Sequence, residues 1–162
     1  MYDVAIIGAG VVGGLIAREL SKYRLKICIL EKEGDVAMGA SKANSALVHA
    51  GYDPKPGTLK ALLNVRGSEM FEELCAELGV GYKRIGALVV GTEDEMDILH
   101  ELLERGRTNG VRGLRIVCGE ELREMEPMLS DNISCALYAP TSAITCPYEL
   151  TVAAVGNAMD NG

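Results

Sequence analysis

Short, unbroken apolar runs alternate along the chain with longer stretches in which apolar residues recur every three or four positions. The first run, residues 4–7, has no polar break and ends at Gly8, as expected of a strand covered on both faces of a parallel sheet. From residue 11 to 23 the period turns helical, with Leu15, Ile16 and Leu20 predicted on one face and Arg18, Glu19 and Lys22 outward. Residues 26–30, Lys-Ile-Cys-Ile-Leu, read as a second strand. Strand, helix and strand make a βαβ unit whose crossover should be right-handed.

A third copy of that alternation does not follow. Residues 34–57 are polar, rich in Gly, Ala, Ser and Asn, and without helical period; a loop of that length in a compact domain is usually functional. Residues 59–78 then read as an amphipathic helix, capped by Thr58 and stopped by Gly79, with Leu59, Leu62, Leu63, Phe71, Leu74 and Leu78 on its apolar face. A strand is expected at 85–90. A capping box at Thr92 and Glu95 opens a helix through Glu104, with Ile98, Leu99 and Leu102 inward and His100 among solvated charges. Short strands at 114–118 and 133–138, a short acidic helix at 120–126 ended by Pro127, and a final helix over 148–159 ending at Asn161 and Gly162 complete the pattern. The fold class is α/β: a Rossmann-like βαβ unit with an inserted α+β layer, its sheet incomplete. Consecutive segments 1–80, 81–147 and 148–162 would be the nucleotide-binding portion with its loop, the start of the α+β substrate layer, and a helix returning toward the first portion.

Composition narrows the function classes. The 162 residues are 48% hydrophobic and 24% charged, the balance of a globular protein, with an aliphatic core because there is no Trp and one Phe. A formal net charge of −7 without a basic run argues against nucleic acid as a partner. The apolar opening is too short for a signal peptide, and no run is long enough to span a bilayer, so membrane contact would be at most peripheral. Five widely spaced cysteines without a Cys-x-x-Cys pair fit free thiols in a reducing compartment, and two distant histidines offer no local metal site. The expected location is cytoplasmic, with any membrane contact peripheral at the inner face.

The chemistry gathers at the turn after the first strand. Gly8 permits the tight turn, Gly10 lets backbone approach a pyrophosphate, and Gly13 lets helix and strand pack closely. The helix that begins there presents free N–H groups and its positive end to phosphate. Glu31 closes the second strand, where a carboxylate accepts hydrogen bonds from an adenosine ribose and repels a 2′-phosphate. That disfavours NADP and leaves NAD and FAD.

The loop decides between them by resemblance. Gly39, Ser41, Asn44, Ser45, His49 and Gly51 are similar to the flavin loop of the FAD-dependent oxidoreductases of the D-amino-acid-oxidase type, nearest to flavin-linked glycerol-3-phosphate dehydrogenases and next to L-2-hydroxyglutarate oxidases. Residues 56–61, Asn64, Arg66, Gly67, Lys83, Arg84, Gly86, Glu126, Pro127 and 147–150 continue the likeness in order; Ala46 departs from it, standing where the family usually carries Gly. The resemblance implies FAD as cofactor, held by Gly8, Gly10, Val12, Gly13, Glu31, Lys32, Gly39, Ser41, Asn44, Ser45, Leu47 and His49. His49 is the one candidate catalytic residue. Lys60, Arg66, Lys83 and Arg84 are read chiefly as surface charges, with a secondary reading as attractors of an anionic substrate.

The activity implied is oxidation of a small anionic hydroxy substrate, sn-glycerol 3-phosphate to dihydroxyacetone phosphate, by hydride transfer to FAD, with electrons passing on to a quinone, another subunit or oxygen. L-2-hydroxyglutarate or another 2-hydroxy or amino acid is the alternative within enzymes, and a non-catalytic dinucleotide-binding fragment the alternative outside them. Family members are considerably longer, so the chain is expected to be an N-terminal portion that works with the rest of the enzyme or a partner subunit, and to hold FAD weakly, if at all, by itself.

Overall fold

The computed structural model describes residues 1–161; Gly162, the expected end of the last helix, lies outside the described residues. Packing separates two compact units that are discontinuous in sequence, unlike the consecutive segments 1–80, 81–147 and 148–162: one comprises Met1–Leu47, Glu72–Tyr82 and the chain from Thr145 on, the other Val48–Phe71 and Lys83–Ile144.

In the first unit, β1 (Val4–Ile7) and β2 (Ile27–Leu30) pair in parallel, Val4 opposite Ile27 and Ile7 opposite Leu30, with α1 (Val11–Leu20) between them in sequence. The last helix, α5 (Pro147–Asp160), packs against α1, and Ile6, Ala17 and Ala158 form the core with Val4, Leu20, Ile27 and Ile29 around them. That contact corrects the predicted face of α1. The side it buries is Gly13, Gly14, Ala17 and Arg18, whereas Ile16 is exposed. The reason is closeness: a Cβ on Gly14 would lie 3.0 Å from Val155 Cγ2 and 3.5 Å from the Thr151 carbonyl oxygen, so only a small-residue stripe fits there. Arg18, expected outward, is only 9% exposed and pairs with Glu77 and Glu19. The sheet has one covered face rather than two, since Ala5 and Ile7 are exposed.

In the second unit, β5 (Ala87–Gly91), β6 (Arg115–Cys118) and β7 (Cys135–Ala139) form an antiparallel sheet with β7 in the middle. The helix α3 (Met96–Thr108) packs on β7, burying Leu99 and Leu103 with Leu114 and Leu137, while α4 (Gly119–Met125) places Leu122 against Val117 and Ala136. The Thr92–Glu95 capping box is formed as predicted, but Ile98 points to solvent and Leu103 takes the inner position. His100 is exposed.

The helix α2 (Leu59–Leu78) has the predicted ends, with the Ala61 N–H donating to Thr58 Oγ1 at 3.2 Å. Its face is the predicted one only in the second half: Phe71, Leu74 and Leu78 are half-buried beside the buried Cys75, whereas in the first half Ala61 is buried and Leu59, Leu62 and Leu63 are exposed. Two-residue strands β3 (Leu47–Val48) and β4 (Tyr82–Lys83), and β8 (Ala143–Thr145), were too short to leave a period. The cysteine reading also needs correction. Cys118 and Cys135 face each other in the β6–β7 register and are joined by a disulfide, leaving Cys28, Cys75 and Cys146 free. Antiparallel register, invisible in one-dimensional spacing, brings the two sulfurs together.

Candidate nucleotide-binding site

The turn from β1 into α1 lies at the carboxyl ends of both parallel strands, where open α/β sheets place ligands. Gly8 takes φ +99°, a left-handed conformation that disfavours any side chain, and its N–H still donates to the Leu30 carbonyl at 2.8 Å. A Cβ on Gly13 would sit 2.0 Å from the Gly8 carbonyl oxygen, so the turn closes only with glycine at that position. A Cβ on Gly10 would come 3.2 Å from Ser41 Oγ, inside the space the turn leaves open.

Beside this turn is a cleft of about 430 Å³ whose lining includes Gly8, Gly10, Glu31, Lys32, Gly39 and Ser41. Six of the residues named from sequence thus come together in one place. Gly13 is buried behind the turn, and Val12 is exposed in the first turn of α1. The N–H groups of Val12 and Gly13 have no acceptor within the helix, as first-turn amides never do. Val11 is different, because its N–H donates to Ser41 Oγ at 2.9 Å. Ser41 therefore caps α1 from the loop, and its hydroxyl proton is left to donate.

Glu31 is held rather than merely present. Its Oε2 accepts the Ala9 N–H at 2.8 Å, and its Oε1 accepts those of Lys32 at 2.8 Å and Glu33 at 3.0 Å. The hydrogen bond from Ala9, then that from Glu33, lowers the carboxyl pKa from its ordinary 4.5. A carboxylate has about four lone-pair sites, so with three N–H groups bound it keeps room for a further donor.

The loop is tied together by its own side chains. Asn44 uses its amide inside the loop: Nδ2 donates to the Ala40 and Ser41 carbonyls at 3.0 and 3.4 Å, and Oδ1 accepts the Ala46 N–H at 2.8 Å. It staples the loop. Ala46 itself sits at φ 60°, the conformation for which glycine is suited. Ser45 is exposed, and Leu47 begins β3 half-buried. Sequence reasoning missed Ala9, buried and donating to Glu31, and the exposed Ile7 and Leu30 that border the cleft; their place at the strand ends was the signal that could have found them.

His49 belongs to the second unit, where it is exposed and borders a cleft of about 480 Å³ with Tyr52, Asp53, Lys60 and Asn64. Burial, and then the Asp53 carboxylate, push the Tyr52 hydroxyl pKa above its ordinary value.

The family model described as FAD dependent oxidoreductase matches residues 3–162. A glycerol 3-phosphate dehydrogenase of Caloramator mitchellensis is 56% identical over 163 residues, covering 100% of this chain and 34% of that protein. A mitochondrial L-2-hydroxyglutarate dehydrogenase of Nematostella vectensis is 43% identical over 129 residues, covering 78% of this chain and 28% of that protein. Among solved structures, the dithionite-reduced L-alpha-glycerophosphate oxidase of Mycoplasma pneumoniae with FAD bound superposes with a TM-score of 0.93 at 32% identity, over 99% of this chain and 43% of that one. The chain spans about a third of the length of the curated relatives it matches. With a glycine turn and acid placed as this cofactor's ADP part requires, and a family match over nearly its whole length, the chain belongs to the FAD-dependent oxidoreductases, with FAD as cofactor.

Proposed function

We propose that the chain is the FAD-holding N-terminal portion of a dehydrogenase that oxidises sn-glycerol 3-phosphate to dihydroxyacetone phosphate. The observation that carries the reading is the cleft at the β1–α1 turn, where the donor set fits the ADP part of FAD. In this reading Gly8 and Gly10 would admit the pyrophosphate to the backbone, the free first-turn N–H groups of α1 and the Ser41 hydroxyl would donate to it, and Glu31 would accept from the ribose. FAD, when bound, supplies the two-electron acceptor; the protein supplies binding, orientation and electrostatics. His49 is proposed to hold or move a proton at its ring nitrogens.

The substrate reading is supported by the stronger likeness to the Caloramator glycerol 3-phosphate dehydrogenase, 56% identical over the whole chain. L-2-hydroxyglutarate is the second reading, supported by the 43% identity of the Nematostella protein. In the full-length enzyme, anaerobic addition of sn-glycerol 3-phosphate is expected to bleach the flavin absorbance faster than L-2-hydroxyglutarate does. The reverse order would replace the first reading with the second, and a full-length enzyme that binds no flavin would overturn both.

A further inference from the structure

The geometry points to an oxyanion site built by Lys60, Asn64 and His49 in the second unit, taking the single anionic end of a small hydroxylated ligand; it deepens the substrate reading above and rests on it. Lys60 and Asn64 are four residues apart on α2, one turn along the same face, and both border the cleft of about 480 Å³ that His49 also borders. The lining is rich in donors: three N–H groups on the ammonium, two on the amide and one or two on the imidazole.

These donors are uncommitted. Among the described residues Lys60 makes no ion pair, and Asn64 makes no side-chain hydrogen bond, its Oδ1 being buried without a partner. That oxygen rests against Gly51, where a Cβ would be 3.3 Å from it, so the amide nitrogen is its accessible end. Among the described residues the Asn64 amide N–H groups have no acceptor in the protein, and a ligand rich in acceptor oxygens supplies one, whereas the buried Oδ1, itself an acceptor, gains nothing from such a ligand. Asp53 is the one carboxylate on the cleft. It can accept from a hydroxyl and repels a second negative group. Such a lining suits a ligand with one phosphate or carboxylate and hydroxyls elsewhere better than a dicarboxylate.

The test uses the whole chain, isotopically labelled, without flavin. Inorganic phosphate, sn-glycerol 3-phosphate, L-2-hydroxyglutarate and glycerol are titrated at constant ionic strength while the His49 ring and Asn64 amide resonances are followed. Saturable shifts are expected with phosphate and, at several-fold lower concentration, with glycerol 3-phosphate. Glycerol should give none, and the dicarboxylate should bind more weakly than glycerol 3-phosphate. Lys60→Gln should weaken phosphate about tenfold, Lys60→Arg should restore most of it, and Asn64→Leu should weaken it independently. Shifts that never saturate, that persist unchanged in Lys60→Gln, or that favour the dicarboxylate would overturn the site. Flavin binding by the full-length enzyme tests the cofactor reading separately, so the two can fail apart.

Discussion

Gly13, Ala46 and Glu31 each meet a constraint that can be stated in ångströms or degrees. A methyl group on Gly13 has nowhere to go, since its position is 2.0 Å from the Gly8 carbonyl oxygen. Gly13→Ala should therefore destabilise the chain by the upper end of the roughly 1–3 kcal/mol that overpacking costs, read as a lower denaturant midpoint at unchanged slope. Ala46 presents the opposite case. It occupies φ 60° without needing its methyl group, so Ala46→Gly should stabilise by about 1 kcal/mol, visible as a raised melting temperature. Glu31 predicts a pH dependence. Its folded pKa is lowered, so its contribution is complete above the ordinary value of 4.5 and is lost as pH falls through the lowered folded value. The stability gap between wild type and Glu31→Gln, measured by urea unfolding, should thus be constant near neutrality and close as the solution is acidified below 4.5.

At the scale of elements, the chain separates what local order can specify from what it cannot. The ends of α2 were legible because Thr58 and Gly79 act on their own neighbours; the buried face of its first half was not, because Leu59, Leu62 and Leu63 form as good a stripe as Ala61 does a seam. Leu62→Lys together with Leu63→Glu should accordingly change stability by no more than about 0.5 kcal/mol, in contrast to the several kcal/mol expected of buried leucines. The β6–β7 pair makes the same point with cysteines. Cys118 and Cys135 are 17 residues apart, and closing a loop of that order restricts the unfolded chain by about 3 kcal/mol. Adding a thiol reductant should lower unfolding stability by about that amount, and Cys118→Ser should make the chain indifferent to reductant.

Over the whole molecule, two units have their own cores, the glycine turn lying in one and the cleft bordered by His49, Lys60 and Asn64 in the other. FAD at one hundred times its dissociation constant should stabilise the full-length enzyme by about 2.7 kcal/mol. Gly10→Val, which fills the space beside Ser41 Oγ, should abolish that gain in a thermal melt without flavin losing its free absorbance.

The order of residues alone determined the βαβ start, the capped helices, the glycine turn and its acid, because propensity, capping and turn chemistry act over a few neighbouring positions. Even the departure at Ala46 was legible, as a residue out of keeping with its loop. Tertiary structure alone decided that Gly14 and Ala17 rather than Ile16 face α5, that Arg18 is buried against Glu77, and that Cys118 meets Cys135. Most of these depend on which distant surface arrives and how closely it packs, and an apolar period records how much of a helix is buried better than it records against what.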